Sequence, residues 1–126
     1  MPLTVAVVGA SPDRTKYGNK AVRAYLQQGH TVYPVHPREP SIEGLPAYPT
    51  VADIPADHID RVTMYVPPQI GLQVVESLGG KSIGEVWFNP GSESEALVQR
   101  VRELGIRPVI ACSILAVGLS PESLDA

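Results

Sequence analysis

A chain of 126 residues, 44% hydrophobic and 18% charged, has the length and composition of one globular domain spanning 1–126, which excludes a disordered polar chain. Ten basic residues against thirteen acidic ones give a net charge of −3 and a pI near 5.5, which excludes a general attraction to nucleic acid or to an anionic membrane. The single cysteine, Cys112, excludes an intramolecular disulfide and predicts a reducing, cytoplasmic setting; Met-Pro-Leu-Thr is not the start of a signal peptide, and no apolar run has transmembrane length.

Leu3–Val8 is a near-continuous apolar, β-branched run stopped by Gly9, the pattern of a strand buried on both faces of a parallel sheet. Gly9 to Tyr17 reads as a polar loop. A helix follows over Gly18–Gln28, with Ala21, Val22, Ala24, Tyr25 and Leu26 on its apolar side and Gly29 as terminator. Thr31–Val35 is a second strand, closed by Pro37. The proline-rich stretch His36–Pro55 has little periodicity and reads as an excursion with one helical turn near Val51–Ile54. Asp60–Val66 is a third strand. Pro67-Pro68 ends it, and Pro68 suits the first turn of a helix over Gln69–Leu78, where its missing N–H costs nothing. Gly79-Gly80 stops that helix. Glu85–Phe88 is a fourth strand. Ser92–Leu104 is a helix with Ala96, Leu97, Val101 and Leu104 at core spacing, a capping-box pairing of Ser92 with Glu95, and Gly105 after it. Arg107–Ala111 is a fifth strand, and the tail from Cys112 holds a short helix before Gly118.

This alternation predicts an α/β fold: a Rossmann-like, doubly wound sheet of about five parallel strands with helices on both faces. In such a sheet ligands bind beyond the carboxyl ends of the strands, so the segments that follow the strands carry the functional reading.

Gly9-Ala10-Ser11-Pro12 follows the first strand and leads into a helix. A glycine there permits a sharp turn and a close approach of phosphate to peptide N–H groups, and Arg14 and Lys16 flank it with charge. The lone glycine is not G-x-G-x-x-G, and a plain strand-to-helix turn is the alternative. After the second strand, His36-Pro37-Arg38 stands where an NAD-specific site usually places an acid; Arg38 favours a phosphorylated ribose, as in NADP or coenzyme A, over a solvated surface role by no clear margin. Val66-Pro67-Pro68 offers rigid backbone, and Asn89-Pro90-Gly91 an amide and a glycine before a helix; ordinary strand-end capping accounts for both equally well. Cys112 lies at the same sheet edge. Packing in the core is its ordinary reading, and contact with a bound thiol is the other.

Together these pieces resemble the small stand-alone CoA-binding domain proteins, which are similar to the CoA-binding domain of the succinyl-CoA synthetase α subunit. The resemblance rests on Val7-Val8-Gly9-Ala10-Ser11-Pro12, Lys16-Tyr17-Gly18-Asn19-Lys20, Val32 to Arg38, Tyr48-Pro49-Thr50 with Asp53-Ile54-Pro55, Val66-Pro67-Pro68, and Trp87 to Gly91 with Cys112. It implies coenzyme A as ligand, held by Gly9, Ala10, Ser11, Arg14 and Asn19, then by His36, Pro37 and Arg38, with Val66, Pro67 and Pro68 also in contact. Position 36 is often asparagine in such proteins, so His36 is a departure, and so is Ile114–Leu119. The synthetases use a phosphohistidine on a further domain, which this length does not hold.

His30, His36 and His58 stand at no metal or triad spacing, and no paired-carboxylate motif is visible. The sequence therefore predicts a binding module for coenzyme A or an acyl-CoA without catalysis of its own, with no nucleic-acid or membrane partner and homo-oligomerisation left open. An NAD- or NADP-dependent oxidoreductase and a nucleotide-binding regulatory subunit are the alternatives.

Overall fold

The computed structural model describes residues 2–78 and 80–125. Strands β1 (Thr4–Val8), β2 (Thr31–Val35), β5 (His58–Met64), β6 (Ser82–Phe88) and β7 (Arg107–Ile110) form one parallel sheet in the order β2-β1-β5-β6-β7. This is the doubly wound α/β architecture that the sequence predicts. Helix α1 (Tyr17–Gln27) lies on one face with the short α4 (Ser113–Ala116) and a 3-10 turn at Pro121–Leu124; α2 (Pro68–Glu76) and α3 (Glu95–Glu103) lie on the other.

The alternation of side chains along each strand divides the core between the two faces. Val5 and Val7 pack with Ala21, Val22 and Tyr25 of α1, with Ile114, and with Leu124. Ala6, Val8, Met64 and Phe88 pack with Val75 of α2 and with Leu97, Val98 and Val101 of α3. Pro68 occupies the first turn of α2, where the missing N–H is harmless. Gly29 ends α1 at φ +83, with its N–H on Leu26 O and that of His30 on Tyr25 O, the paired bonds of a Schellman stop. The Gly79 stop lies outside the described residues.

Several boundaries differ from expectation for identifiable reasons. β5 begins two residues early and ends at Met64: the Tyr65 N–H makes the last bond to β1, on the Val8 carbonyl at 2.9 Å, and pairing stops where Gly9 turns out of β1 at φ +86. β6 extends back to Ser82 past Gly84, whose bare Cα faces Asp60; a Cβ there would stand 2.7 Å from the Asp60 carbonyl oxygen. The excursion after β2 holds a small antiparallel hairpin, β3 (Ser41–Ile42) with β4 (Leu45–Pro46). Its turn residues Glu43 and Gly44 both have positive φ, at 51° and 77°. The 3-10 turn Val51–Asp53 falls on the expected helical turn.

Helix α3 starts at Glu95, and its cap is Ser94 rather than Ser92: the Ser94 side chain accepts the Leu97 N–H at 3.2 Å. Ser92 is unavailable as a cap because its hydroxyl donates to the Asn89 carbonyl at 2.7 Å, closing the preceding turn. The buried side of α3 is Leu97, Val98 and Val101, while Ala96 and Leu104 face solvent. Ser94→Ala is expected to lower stability by about 1 kcal/mol. In urea unfolding the midpoint should fall while the slope stays unchanged.

Candidate functional site

The strand order makes β1 and β5 the central pair. The chain leaves β1 towards β2 and leaves β5 towards β6, so the two crossovers diverge and open a crevice between the strand ends. Two glycines shape it. Gly9 turns out of β1 at φ +86, and a Cβ on it would lie 2.8 Å from the Tyr65 carbonyl oxygen. A Cβ on Gly18, in the first turn of α1, would lie only 2.0 Å from the Gly9 carbonyl oxygen. The helix therefore starts directly on the loop that feeds it. A valine at position 9 would strain the fold as well as obstruct the cleft.

The resulting cleft has a volume of about 730 Å³. Gly9, Ala10 and Ser11 form one wall, continued by Lys16, Tyr17 and Gly18. His36 and Pro37 stand at one end, Pro90, Gly91 and Ser92 at the other, and Tyr65, Val66, Pro67 and Ile70 opposite the glycine loop. Among the described residues, the backbone N–H groups of Ser11, Tyr17 and Gly18 have no protein acceptor. Lys16 Nζ makes no ion pair there, whereas Arg14 faces Glu43 at 3.7 Å and Lys20 reaches Asp125. Free N–H groups at the start of an eleven-residue helix, beside an uncommitted ammonium, suit a phosphate or another anion. Apart from Ser11, His36 and Ser92 the remaining wall is apolar, and Tyr17 and Ile70 hold 59% and 47% of their surface open at the rim.

Of the residues singled out from sequence, Gly9, Ala10, Ser11, His36, Pro37, Val66, Pro67, Pro90 and Gly91 border this cleft. Pro68 opens α2 behind it. Asn89 and Cys112 border a smaller adjoining cavity instead. Arg14, Asn19 and Arg38 are not on the cleft wall. Asn19 is fully buried and braces the glycine loop: its amide donates to the Ser11 carbonyl at 2.8 Å and to Glu43 at 3.0 Å, and its oxygen accepts from Arg23 Nε at 2.7 Å. Arg23 in turn donates to the Arg14 carbonyl at 2.9 Å. Arg38 is exposed at the turn after β2. His36 Nδ1 accepts the backbone N–H groups of both Arg38 and Glu39 at 3.0 Å, the turn-forming role that an asparagine side chain also fills.

Sequence reasoning missed the polar floor beneath the cleft. Asn89 donates to Thr63 Oγ1 at 2.7 Å and to the Met64 carbonyl at 2.9 Å, and accepts the Ser113 N–H at 2.9 Å. Ser113 Oγ lies 2.7 Å from Thr63 Oγ1 and 3.1 Å from the Tyr65 hydroxyl. Tyr25 donates its hydroxyl to the Ser113 carbonyl and accepts from Arg61, both at 3.3 Å. The buried side-chain polar atoms among the described residues are all paired, so the network fixes the strand ends rather than offering open valences. The sequence signals for it were a polar residue inside a strand-like run, Thr63, and the amide that directly follows a strand, Asn89.

Tyr65 lines both cavities, and burial pushes its hydroxyl pKa well above the usual tyrosine value, with the Ser113 and Thr63 contacts acting the other way. A raised pKa in the fold favours the neutral phenol. Its stabilisation is therefore complete below the unfolded value of about 10 and is lost as pH rises towards the folded value. Tyr65→Phe is expected to cost about 1 kcal/mol at neutral pH and to flatten the stability loss above about pH 10. Urea unfolding across that range checks the slope.

Among the described residues, no group of three His, Cys, Asp or Glu side chains converges as a metal site, and no helix is long and apolar enough to cross a membrane. Residues 3–118 match the family model described as "CoA binding domain". The chain is similar to an ADP-forming acetate–CoA ligase of Archaeoglobus fulgidus, 38% identical over 91 residues, covering 71% of this chain and 13% of the ligase. It is 31% identical over 117 residues to the α subunit of an ADP-forming acetate–CoA ligase of Pyrococcus furiosus, covering 84% of this chain and 25% of the subunit. The chain thus spans a quarter or less of the length of these two relatives. A conserved hypothetical protein from Pyrococcus furiosus shares the fold at a TM-score of 0.82 and 34% identity, covering 90% of this chain and 98% of that one. A dinucleotide-forming acetyl-coenzyme A synthetase of Ca. Korarchaeum cryptofilum, in complex with phosphate and ADP, matches at a TM-score of 0.77 and 30% identity, over 87% of this chain and 26% of that one.

Proposed function

The chain belongs to the CoA binding domain family, and from that premise we propose that it holds coenzyme A, free or acylated, in the cleft between the ends of β1 and β5. The observation that carries this reading is the set of unpaired N–H groups at Ser11, Tyr17 and Gly18 beside Lys16, at the mouth of a cleft with apolar walls. Phosphate oxygens satisfy such donors, and helix α1 directs its positive end at them. The apolar portion, with Tyr17, Val66, Pro67 and Ile70, suits an adenine ring and a pantetheine arm. Bound coenzyme A would bring an acyl-carrying thiol.

The same surroundings support binding without catalysis by this domain alone. Among the described residues the cleft wall brings no carboxylate beside His36, and His36 Nδ1 is committed to two backbone N–H groups. His30 lies elsewhere, accepting the Leu3 N–H, and His58 pairs with Asp60 at the opposite end of β5. The NAD and NADP alternatives gain nothing from the relatives, whose names point to coenzyme A. Activity as a ligase subunit would require the remaining three quarters or more of the relatives' length.

A thermal-shift panel of CoA, acetyl-CoA, NAD and NADP separates these ligands. A ligand at about a hundred times its dissociation constant stabilises by about 2.7 kcal/mol. Stabilisation by the two CoA species and not by the dinucleotides is expected; the reverse order would overturn the reading. Arg38 gives a finer test, because its guanidinium makes no side-chain bond among the described residues and is available to a ribose phosphate. Arg38→Ala is expected to weaken CoA by about 1.5–3 kcal/mol and dephospho-CoA much less. Equal losses in calorimetric titrations would remove Arg38 from contact with that phosphate.

A further inference from the structure

The cleft does not end at Pro90. Tyr17, Tyr65 and Pro90 also form walls of a second cavity of about 190 Å³, completed by Asn89, Cys112 and Pro121. Its lining is two aromatic rings, two proline rings, a thiol and an amide, with no charged side chain among the described residues. Its buried polar groups are occupied: the Asn89 amide is bonded to Thr63, Met64 and Ser113, and the Tyr65 hydroxyl to Ser113, while Tyr17 lies on the exposed rim. No buried side-chain nitrogen or oxygen among the described residues lacks a partner, so nothing here calls for an ordered water or an ion.

The outer wall is held in place. Pro121 opens the 3-10 turn that carries Leu124 into the core beside α1, and Asp125 closes it onto the Lys20 ammonium at 2.5 Å. Gln28 secures the approach to this turn by donating to the Val117 carbonyl at 2.6 Å. The cavity is thus a built recess, apolar in character and sharing three residues with the proposed coenzyme cleft.

We propose that this recess is an acyl subsite: it takes the short acyl chain of an acyl-CoA whose coenzyme portion lies in the cleft. The proposal rests on the coenzyme reading above and adds the ligand class. The size sets the chain length. At about 30 Å³ for each water-sized group, the cavity holds about six such groups, enough for a thioester carbonyl and a chain of about two to four carbons. Longer chains meet the wall formed by Cys112 and Pro121. Each methylene buried there tightens binding by about fourfold.

Calorimetric titration with CoA, acetyl-CoA, butyryl-CoA and octanoyl-CoA tests this. Affinity is expected to rise by about sixteenfold from acetyl- to butyryl-CoA, two methylenes at about fourfold each, and to fall back at octanoyl-CoA. Cys112→Phe fills the recess and should bring the ratio of butyryl-CoA to CoA affinity down to about one. Thermal melting of the free variant confirms its fold, and Cys112→Leu replaces it if the phenylalanine is not accommodated. A flat series in which CoA and every acyl-CoA bind alike would overturn the acyl subsite while leaving the coenzyme cleft intact. An unchanged ratio in a folded, filled variant would do the same. Failure of CoA and the whole series to bind would overturn the cleft reading with it.

Discussion

The contact between Gly9 and Gly18 sets the position of everything at the carboxyl edge of the sheet. A Cβ on Gly18 would fall 2.0 Å from the Gly9 carbonyl oxygen, and one on Gly9 would fall 2.8 Å from that of Tyr65. Three backbone segments therefore meet without intervening side chains: the end of β1, the end of β5 and the first turn of α1. Their approach leaves the helix N–H groups facing a crevice instead of a packed turn. Asn19 and Arg23 then tie the intervening loop to the body of α1, so the donors are fixed before any ligand arrives. Preorganisation of this kind spares a ligand the cost of ordering the loop.

Local charge, not overall charge, governs what such a crevice attracts. The chain is acidic at −3, yet the loop region holds several cations whose commitments differ. Arg14 is opposed by Glu43, Lys20 by Asp125, and Arg23 is spent on Asn19 and the loop backbone. Lys16 is the cation at the cleft wall without an ion pair among the described residues. Beneath it, the Asn89–Thr63–Ser113 network pins the ends of β5 and β6 to α4, so that the apolar walls stand on a rigid polar floor. Such fully satisfied networks confer uniqueness on a core more than they add stability.

The sheet was legible because its strands announce themselves as β-branched runs ended by glycine or proline, as at Val5–Gly9 and Thr31–Val35. The strand-end segments followed from where the predicted strands end, and the residues within them from the resemblance to CoA-binding domains; nine of them border the cleft. Three kinds of feature stayed hidden. The hairpin at Ser41–Pro46 has strands too short to show alternation, and its Glu-Gly turn is not a strong hairpin signal. Tyr17 and Tyr65 read as the end of a loop and the body of a strand, because nothing in a sequence says that an aromatic ring is left half-covered at a rim. The Ser113–Asn89–Thr63 bonds join three separated elements, and long-range polar pairing leaves no local pattern. Asn19 and Arg14 are expected at the ligand from the resemblance to CoA-binding domains; in the structure Asn19 is buried and its amide donates to the Ser11 carbonyl, a bracing role that the resemblance does not convey.

The central claim is that coenzyme A binds at the donors exposed by the Gly9–Gly18 contact. Titration of CoA into isotope-labelled protein, followed through backbone amide resonances, tests it residue by residue. The account predicts saturable shifts, largest at the amides of Ser11, Tyr17 and Gly18, with further shifts at His36, Val66 and Gly91. Saturable binding whose shifts fall on the outer surfaces of α2 and α3, with Ser11 and Gly18 unmoved, would contradict it.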